Sequence, residues 1–191
     1  MDSLARVLYD PVGYYRPWRK VVERLEPAQR AAFNDALIDW YALPGYREPG
    51  TDQASWVHRI LNHWNVLPQA AYLVACAKWR SQSVSSRSYL QKPPLAQAFM
   101  QLGFPEAPAL PGLDARSVDA WLYYGGLYIS QGLNALLPPW LSARLPLVFM
   151  PGERTLPTAI LTDDGPFDTS CFWSALTYAS SHRELGLTLR G

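Results

Sequence analysis

Apolar positions along the chain recur at three- and four-residue steps and never in a sustained alternation, which predicts helices and no set of strands. The first clear helix spans Pro27 to Leu43. Glu26-Pro27 puts proline at the first helical position, where its missing N–H costs nothing. Phe33, Leu37, Trp40 and Tyr41 form its apolar stripe, with Arg30, Asn34 and Asp39 off that face, and Pro44-Gly45 ends it. Thr51 or Asp52 then caps a second helix whose buried stripe is Trp56, Ile60, Leu61 and Trp64. The third is "VLPQAAYLVACAKW", Val66 to Trp79, opened by Pro68. Tyr72, Leu73, Cys76 and Trp79 fall at helical steps. Ala70, Ala71, Ala75 and Ala77 are small enough to let neighbouring helices come close. A helix apolar nearly all round is a central one. Beyond it, "KWRSQSVSSRS" is Ser-rich and reads as fraying into a loop.

A fourth, short helix runs from Pro94 to Leu102 on Leu95, Phe99 and Leu102, with Gly103 as its stop. "FPEAPALPGL", Phe104 to Leu113, is a long Pro-rich connection inside one domain. Asp114 then caps a fifth helix toward Leu137, with Val118, Trp121, Leu122, Leu133 and Leu136 on its core face. Gly125, Gly126 and Gly132 cost a helix about 1 kcal/mol each against alanine, so they imply close helix contact ahead of a break. Pro139 to Arg144 is a short helix. "LPLVFMP", Leu145 to Pro151, reads as an extended strand or a buried loop, and 152–168 as irregular. Thr169 or Asp168 caps a last helix through His182, with Phe172, Leu176 and Ala179 on its face and Trp173 beside them. At the other end, Arg6 to Trp18 is interrupted by Pro11, Gly13 and Pro17, giving a short turn or helix and then an irregular arm. The expected fold is mainly α: a single compact multi-helix domain over 1–191 with an N-terminal arm (1–20), long Pro-rich loops (104–113 among them) and little or no β.

Composition narrows what such a body does. The chain's 191 residues suit one domain with a core of its own, and 49% apolar with 17% charged residues is a globular balance. Eight Trp, eleven Tyr and six Phe either fill that core or anchor a partner. A net charge of +1, without a run of five like charges, lacks the basic stripe of a nucleic-acid binder. No apolar run reaches the roughly 18 residues that span a bilayer. The first residues lack the apolar core of a signal peptide, so a soluble cytoplasmic protein is expected. Cys76 and Cys171 are far apart and outside any C-x-x-C pair, which reads as two buried thiols in a reducing compartment.

Candidate chemistry is sparse. His58 and His63 are five apart, not the i, i+4 spacing of paired ligands on one helix face, and His182 is remote. Cys76 sits in the most apolar helix, where a thiolate is disfavoured. "GGLYISQG" is not a phosphate loop, and Ser130 stands in no nucleophile elbow. Asp163-Asp164 reads as a solvated turn before a cation site, and Asp10-Pro11 as a turn starter before a contact. No catalytic, cofactor-binding or metal-ligating set is expected; binding or scaffolding is favoured over catalysis.

Three stretches, in order, resemble the OrgA/MxiK family, the SctK group of bacterial type III secretion. They are "RVLYDPVGYYRPWR" (Arg6–Arg19), "WNVLPQAAYLVACAKWR" (Trp64–Arg80) and "YYGGLYISQGLNALLPPWLSARLPLVFMP" (Tyr123–Pro151). The motif positions are Asp10, Pro11, Leu67, Pro68, Gln69, Ala71, Tyr72 and Leu73, and the run from Leu67 to Leu73 is the most specific. The resemblance implies a helical, non-catalytic cytoplasmic adaptor of the injectisome sorting platform, at the cytoplasmic face of the inner membrane. Its implied partners are the C-ring-like core protein (SpaO/Spa33 type) and the cytosolic domain of the inner-membrane ring protein (PrgH/MxiG type), with the stator and export ATPase reached indirectly. The loops "PGYREPGTD" and "FPEAPALPG" depart from the family pattern.

For partner contact the residues favoured are Tyr14, Tyr15, Arg16, Trp18 and Arg19, the aromatic-plus-arginine mixture typical of hot spots; the alternative is that these rings cover the core. A secretion chaperone or a helical peptide-binding module is the competing class of function, and an enzyme using Cys76 or Asp163 and Asp164 is a third.

Overall fold

The computed structural model describes residues 2–111, 113–150 and 166–182, apart from the side chains of Arg19 and Lys20. The chain is mainly α, as its apolar spacing predicts, with no strand among the described residues. In chain order the helices are α1 (Ser3–Tyr9), α2 (Arg19–Val22), α3 (Pro27–Trp40), α4 (Thr51–Asn62), α5 (Leu67–Lys78) and α6 (Arg80–Ser85). They continue with α7 (Pro94–Met100), α8 (Val118–Leu133), α9 (Pro139–Ser142), α10 (Leu145–Phe149) and α11 (Thr169–Ser181). The expected irregular arm is built from α1, two 3-10 turns (Pro11–Gly13 and Arg16–Trp18) and α2.

Several expectations are corrected. Leu145 to Phe149 is a helix, neither strand nor loop, because Pro146 in its first turn presets a helical φ and needs no hydrogen-bond donor there. The Ser-rich stretch after Trp79 holds one more short helix, α6. α8 starts at Val118: Ser117 Oγ accepts the Ala120 N–H as its cap, while Asp114 turns back onto the Arg116 N–H. At α4 the capping position is Gly50, with no side-chain cap. The stretch 151–165, with Asp163 and Asp164, lies outside the described residues.

The described chain forms two compact units, one of residues up to Trp64 with 130–150, the other of 65–129 with 166–182. In the first unit Val12, Tyr15, Val22, Leu37, Leu43 and Leu147 make a buried cluster, with Trp18, Phe33 and Tyr41 packed against it. Glu26 and Gln29 close a capping box at the start of α3. The guanidinium of Arg144 is buried here without a carboxylate. It donates to the carbonyl oxygens of Trp140 at 2.6 Å, Pro44 at 2.8 Å and Leu8 at 3.4 Å, tying three separate segments together. Burial pulls its pKa down, with the Tyr14 and Tyr9 hydroxyls opposing.

In the second unit α5 is the core. Every residue from Ala70 to Trp79 is buried, and α11 and α7 pack on it. Each fully buried Leu or Val side chain is worth about 1.5–3 kcal/mol, so this one helix carries much of the unit's stability. α8 crosses α5 at Gly125, where a Cβ would overlap the Ala71 carbonyl. The glycine is spent on close contact, and the helix runs through it unbroken. The Pro-rich connection is held to the end of α5 and to α6: the Ala107 N–H donates to the Lys78 carbonyl, Trp79 Nε1 to the Pro108 carbonyl, and Gln82 exchanges two hydrogen bonds with Leu110.

Candidate functional site

The N-terminal arm is positioned by one carboxylate. Asp10 ends α1 and accepts both Nε (3.0 Å) and Nη2 (2.6 Å) of Arg30 on α3, with Asn34 Nδ2 at 3.3 Å. Asn34 Oδ1 in turn accepts the Val12 N–H at 3.0 Å. Asp10 thus holds the turn Pro11–Gly13 against α3, and Gly13 leaves no room for a Cβ beside the carboxylate. The carboxylate beside Arg30 raises that guanidinium's pKa further. Proline at 11 supplies the fixed φ the turn needs.

This clamp decides where the arm's candidate contact residues go. Tyr15 is 3% exposed and belongs to the first unit's core, its hydroxyl 3.0 Å from that of Tyr41. Tyr14 is half-buried; its hydroxyl donates to the Val7 carbonyl at 2.8 Å, and burial pushes its pKa up against the pull of Arg144. Trp18 is half-buried, edge-on to Phe33 at 5.0 Å and to Tyr15 at 5.5 Å. Arg16 is half-buried with Nη1 shut off from solvent, and the side chain of Arg19 lies outside the described residues.

The motif from Leu67 to Leu73 lies on the first half of α5. Leu67, Ala71, Tyr72 and Leu73 are buried; Pro68 and Gln69, in the first turn, are partly exposed. Around Tyr72 the second unit encloses a cation that sequence reading missed. Lys92 is 6% exposed, with Nζ 3.8 Å from the Trp121 ring centre and 5.6 Å from that of Tyr72. Burial lowers the Lys92 pKa, and Cys76 opposes this. Burial, and then Cys76, raise that of Tyr72. Aromatic faces offset part of the desolvation of such an ammonium, by about 2 kcal/mol. No local signal marks Lys92, because the rings that hold it come from elements far away in sequence.

The remaining candidates show no assembled chemistry. Cys76 is fully buried; burial first, with Lys92 and Tyr72 opposing, leaves its thiol pushed up to about 11. Burial and the Asp168 charge push Cys171 up to about 12. Both thiols are therefore expected to resist iodoacetamide in the native protein and to be modified together on unfolding in urea. Mass spectrometry along the denaturation curve checks this, and labelling of Cys76 in buffer alone would reopen the nucleophile reading. His58 is exposed and shares a hydrogen bond with Asn62; the His63 Nδ1 lies against the Arg59 carbonyl. Among the described residues no group of three or more His, Cys, Asp or Glu is placed to hold a metal ion, and no helix is long and apolar enough to cross a membrane.

The largest side chain on the described surface is one the apolar pattern assigned to the core. Trp40, at the end of α3, is 77% exposed. Its spacing to Phe33 and Leu37 suits a stripe. Its i−4 and i−8 neighbours, however, are Ala36 and Ala32, both exposed, and that row was the available clue.

The family described as "Bacterial type III secretion apparatus protein (OrgA_MxiK)" matches residues 4–181. The oxygen-regulated invasion protein OrgA of Salmonella typhimurium strain 14028s is 32% identical over 150 residues, covering 76% of this chain and 73% of the relative. The same figures hold for OrgA of strains SL1344 and LT2. No solved structure matches the chain.

Proposed function

Because the chain belongs to the OrgA/MxiK family of bacterial type III secretion apparatus proteins, we propose that it is a non-catalytic adaptor of the sorting platform. In this reading it links the cytosolic domain of the inner-membrane ring protein (PrgH/MxiG type) to the C-ring-like core protein (SpaO/Spa33 type). Through the core protein it supports the stator and export ATPase. It works in the cytoplasm, at the inner face of the inner membrane.

The observation that carries the reading is the family match across 4–181, which takes in the arm, α5 and α11. The family is described as one of secretion-apparatus proteins, which supports a building part over an enzyme. The burial of α5 and of both thiols supports a structural body over a reactive one. We take 1–191 to work as one helical domain, since the described chain passes between its two units at Trp64–Asn65 and again at Ile129–Ser130, and neither unit is a continuous segment. The arm's half-buried Tyr14, Arg16 and Trp18, with Tyr15 beneath them and Arg19 following, remain the proposed partner contact. They would act through a fixed outer surface, because Asp10 and Arg30 hold the turn in place.

Deleting the gene is expected to abolish effector secretion while the membrane-embedded rings still assemble. Complementation with the wild-type chain should restore export, and with Arg16→Glu/Arg19→Glu only a fraction of it. Secretion assays beside ring purification read both results. Wild-type export in the deletion strain would remove the proposal, and full rescue by the double variant would remove the arm from it.

A further inference from the structure

We infer that the outer face of α3 is a docking surface for a basic segment of another protein, anchored by Trp40. Ala28, Ala32, Asp35, Ala36, Asp39 and Trp40 are all exposed. They stand on one side of the helix in i, i+4 rows: Ala28–Ala32–Ala36–Trp40 and, alongside, Asp35–Asp39. The opposite side, with Asn34 and Leu37 buried and Arg30 bound to Asp10, packs on the first unit. The outer face is therefore smooth, carries one large exposed ring, and presents two carboxylates with no cation among its six residues. Neither carboxylate has an ion-pair partner among the described residues.

Those two charges oppose the stability of their own helix. Like charges at i, i+4 repel. Asp35 and Asp39 also lie in the C-terminal half of α3, where the helix dipole disfavours anions, and the last turn holds no basic residue to compensate. An arginine- or lysine-bearing segment laid along the face relieves both effects. It also covers the indole of Trp40, a ring type concentrated in binding hot spots. The alanines let the segment's backbone approach closely. Charge complementarity thus favours a cationic partner over a second copy of this chain, whose α3 would bring carboxylates against carboxylates.

The test uses the full chain at native level in cells that assemble the secretion apparatus, with the photo-crosslinking residue p-benzoylphenylalanine replacing Ala36. Ultraviolet light is expected to yield one discrete adduct, and its peptide map to place the crosslink in a partner segment of net positive charge. Adduct yield is expected to fall about tenfold with Trp40→Ala and with Asp35→Lys/Asp39→Lys, since like-charge contact at an interface strongly disfavours binding. Asp35→Asn/Asp39→Asn, which keeps the side-chain shape, should give an intermediate loss and serves if the lysine pair fails to fold. The inference is overturned by no adduct, by an adduct within the chain or to a second copy, by a neutral or acidic crosslinked segment, or by yields unchanged in the variants. A basic segment from a protein outside the secretion apparatus would leave this face standing and count against the adaptor role instead.

Discussion

Gly125→Ala is expected to destabilise the protein by about 1–3 kcal/mol, and Gly125→Leu to remove the cooperative unfolding transition altogether. The sign is informative, because the same change in an open helix interior would stabilise by about 1 kcal/mol. Here the new methyl would overlap the Ala71 carbonyl oxygen and lie 2.7 Å from its carbon and 3.1 Å from the Ala75 Cβ. The first two are backbone atoms of α5, whose neighbours on all sides are buried, so they have nowhere to move. α8 must instead slide off α5 and lose packing along the crossing. Urea denaturation followed by circular dichroism gives the difference. Adding Ala75→Gly should not restore stability, since it removes the mild contact and leaves the severe one. A Gly125→Ala protein as stable as wild type would mean that the helices do not touch there.

The second large effect is expected at Lys78. Its ammonium is 2.8 Å from Asp168 Oδ2 and 3.2 Å from the Pro105 carbonyl, with side chains only 7% and 15% exposed across the ion pair. Asp168 is also the N-cap of α11, accepting the Cys171 N–H at 2.9 Å and the Ser170 hydroxyl at 2.7 Å, while its own N–H donates to the Tyr128 hydroxyl. Lys78→Met strands this carboxylate and should cost about 3–5 kcal/mol, whereas Lys78→Met/Asp168→Asn should cost less, because no buried charge is left without a partner. The pH dependence follows from both partners. Burial raises the Asp168 pKa, but the hydrogen bonds from Lys78, Ser170 and the Cys171 N–H outweigh it, and the net shift is downward. Its contribution is present above the ordinary carboxylate value and is lost as pH falls through the lowered one. Burial lowers the Lys78 pKa, but Asp168 and the neighbouring Tyr128 outweigh it, and the net shift is upward. That contribution is present below the ordinary lysine value and is lost as pH rises through the raised one. In Lys78→Met the acid-side fall in Tm should therefore shrink and the alkaline-side fall should lose this component.

Both sites show what could be read ahead of the fold. Gly125 was legible as a close contact, because glycine in an apolar helix is costly unless something lies against it. Its partner was foreshadowed by Ala71 and Ala75. Asp168 was legible as a cap, since an acid before a helical stripe has few other uses. Its second role was not, because Lys78 is ninety residues away. Leu145 to Phe149 shows the limit of apolar spacing. Five apolar residues fit a strand or a buried helix equally, and only Pro146 tips the choice. Trp40 shows another. A stripe at i+3 and i+4 has two edges, and only Ala32 and Ala36 hinted which edge would lack a neighbour.

By itself the sequence determined the mainly helical fold and its longer helices, though not α6 or α10, the central place of the Leu67–Lys78 segment and the family to which the chain belongs. These rest on local periodicity, proline positions and an ordered set of motifs. Only the tertiary structure decided that Tyr15 is buried while Trp40 faces solvent, that Arg144 donates to three carbonyls, and that Lys92 rests on Trp121. In each case the outcome turns on whether another segment of the chain comes to lie against the side chain, and spacing along the sequence carries no full record of that.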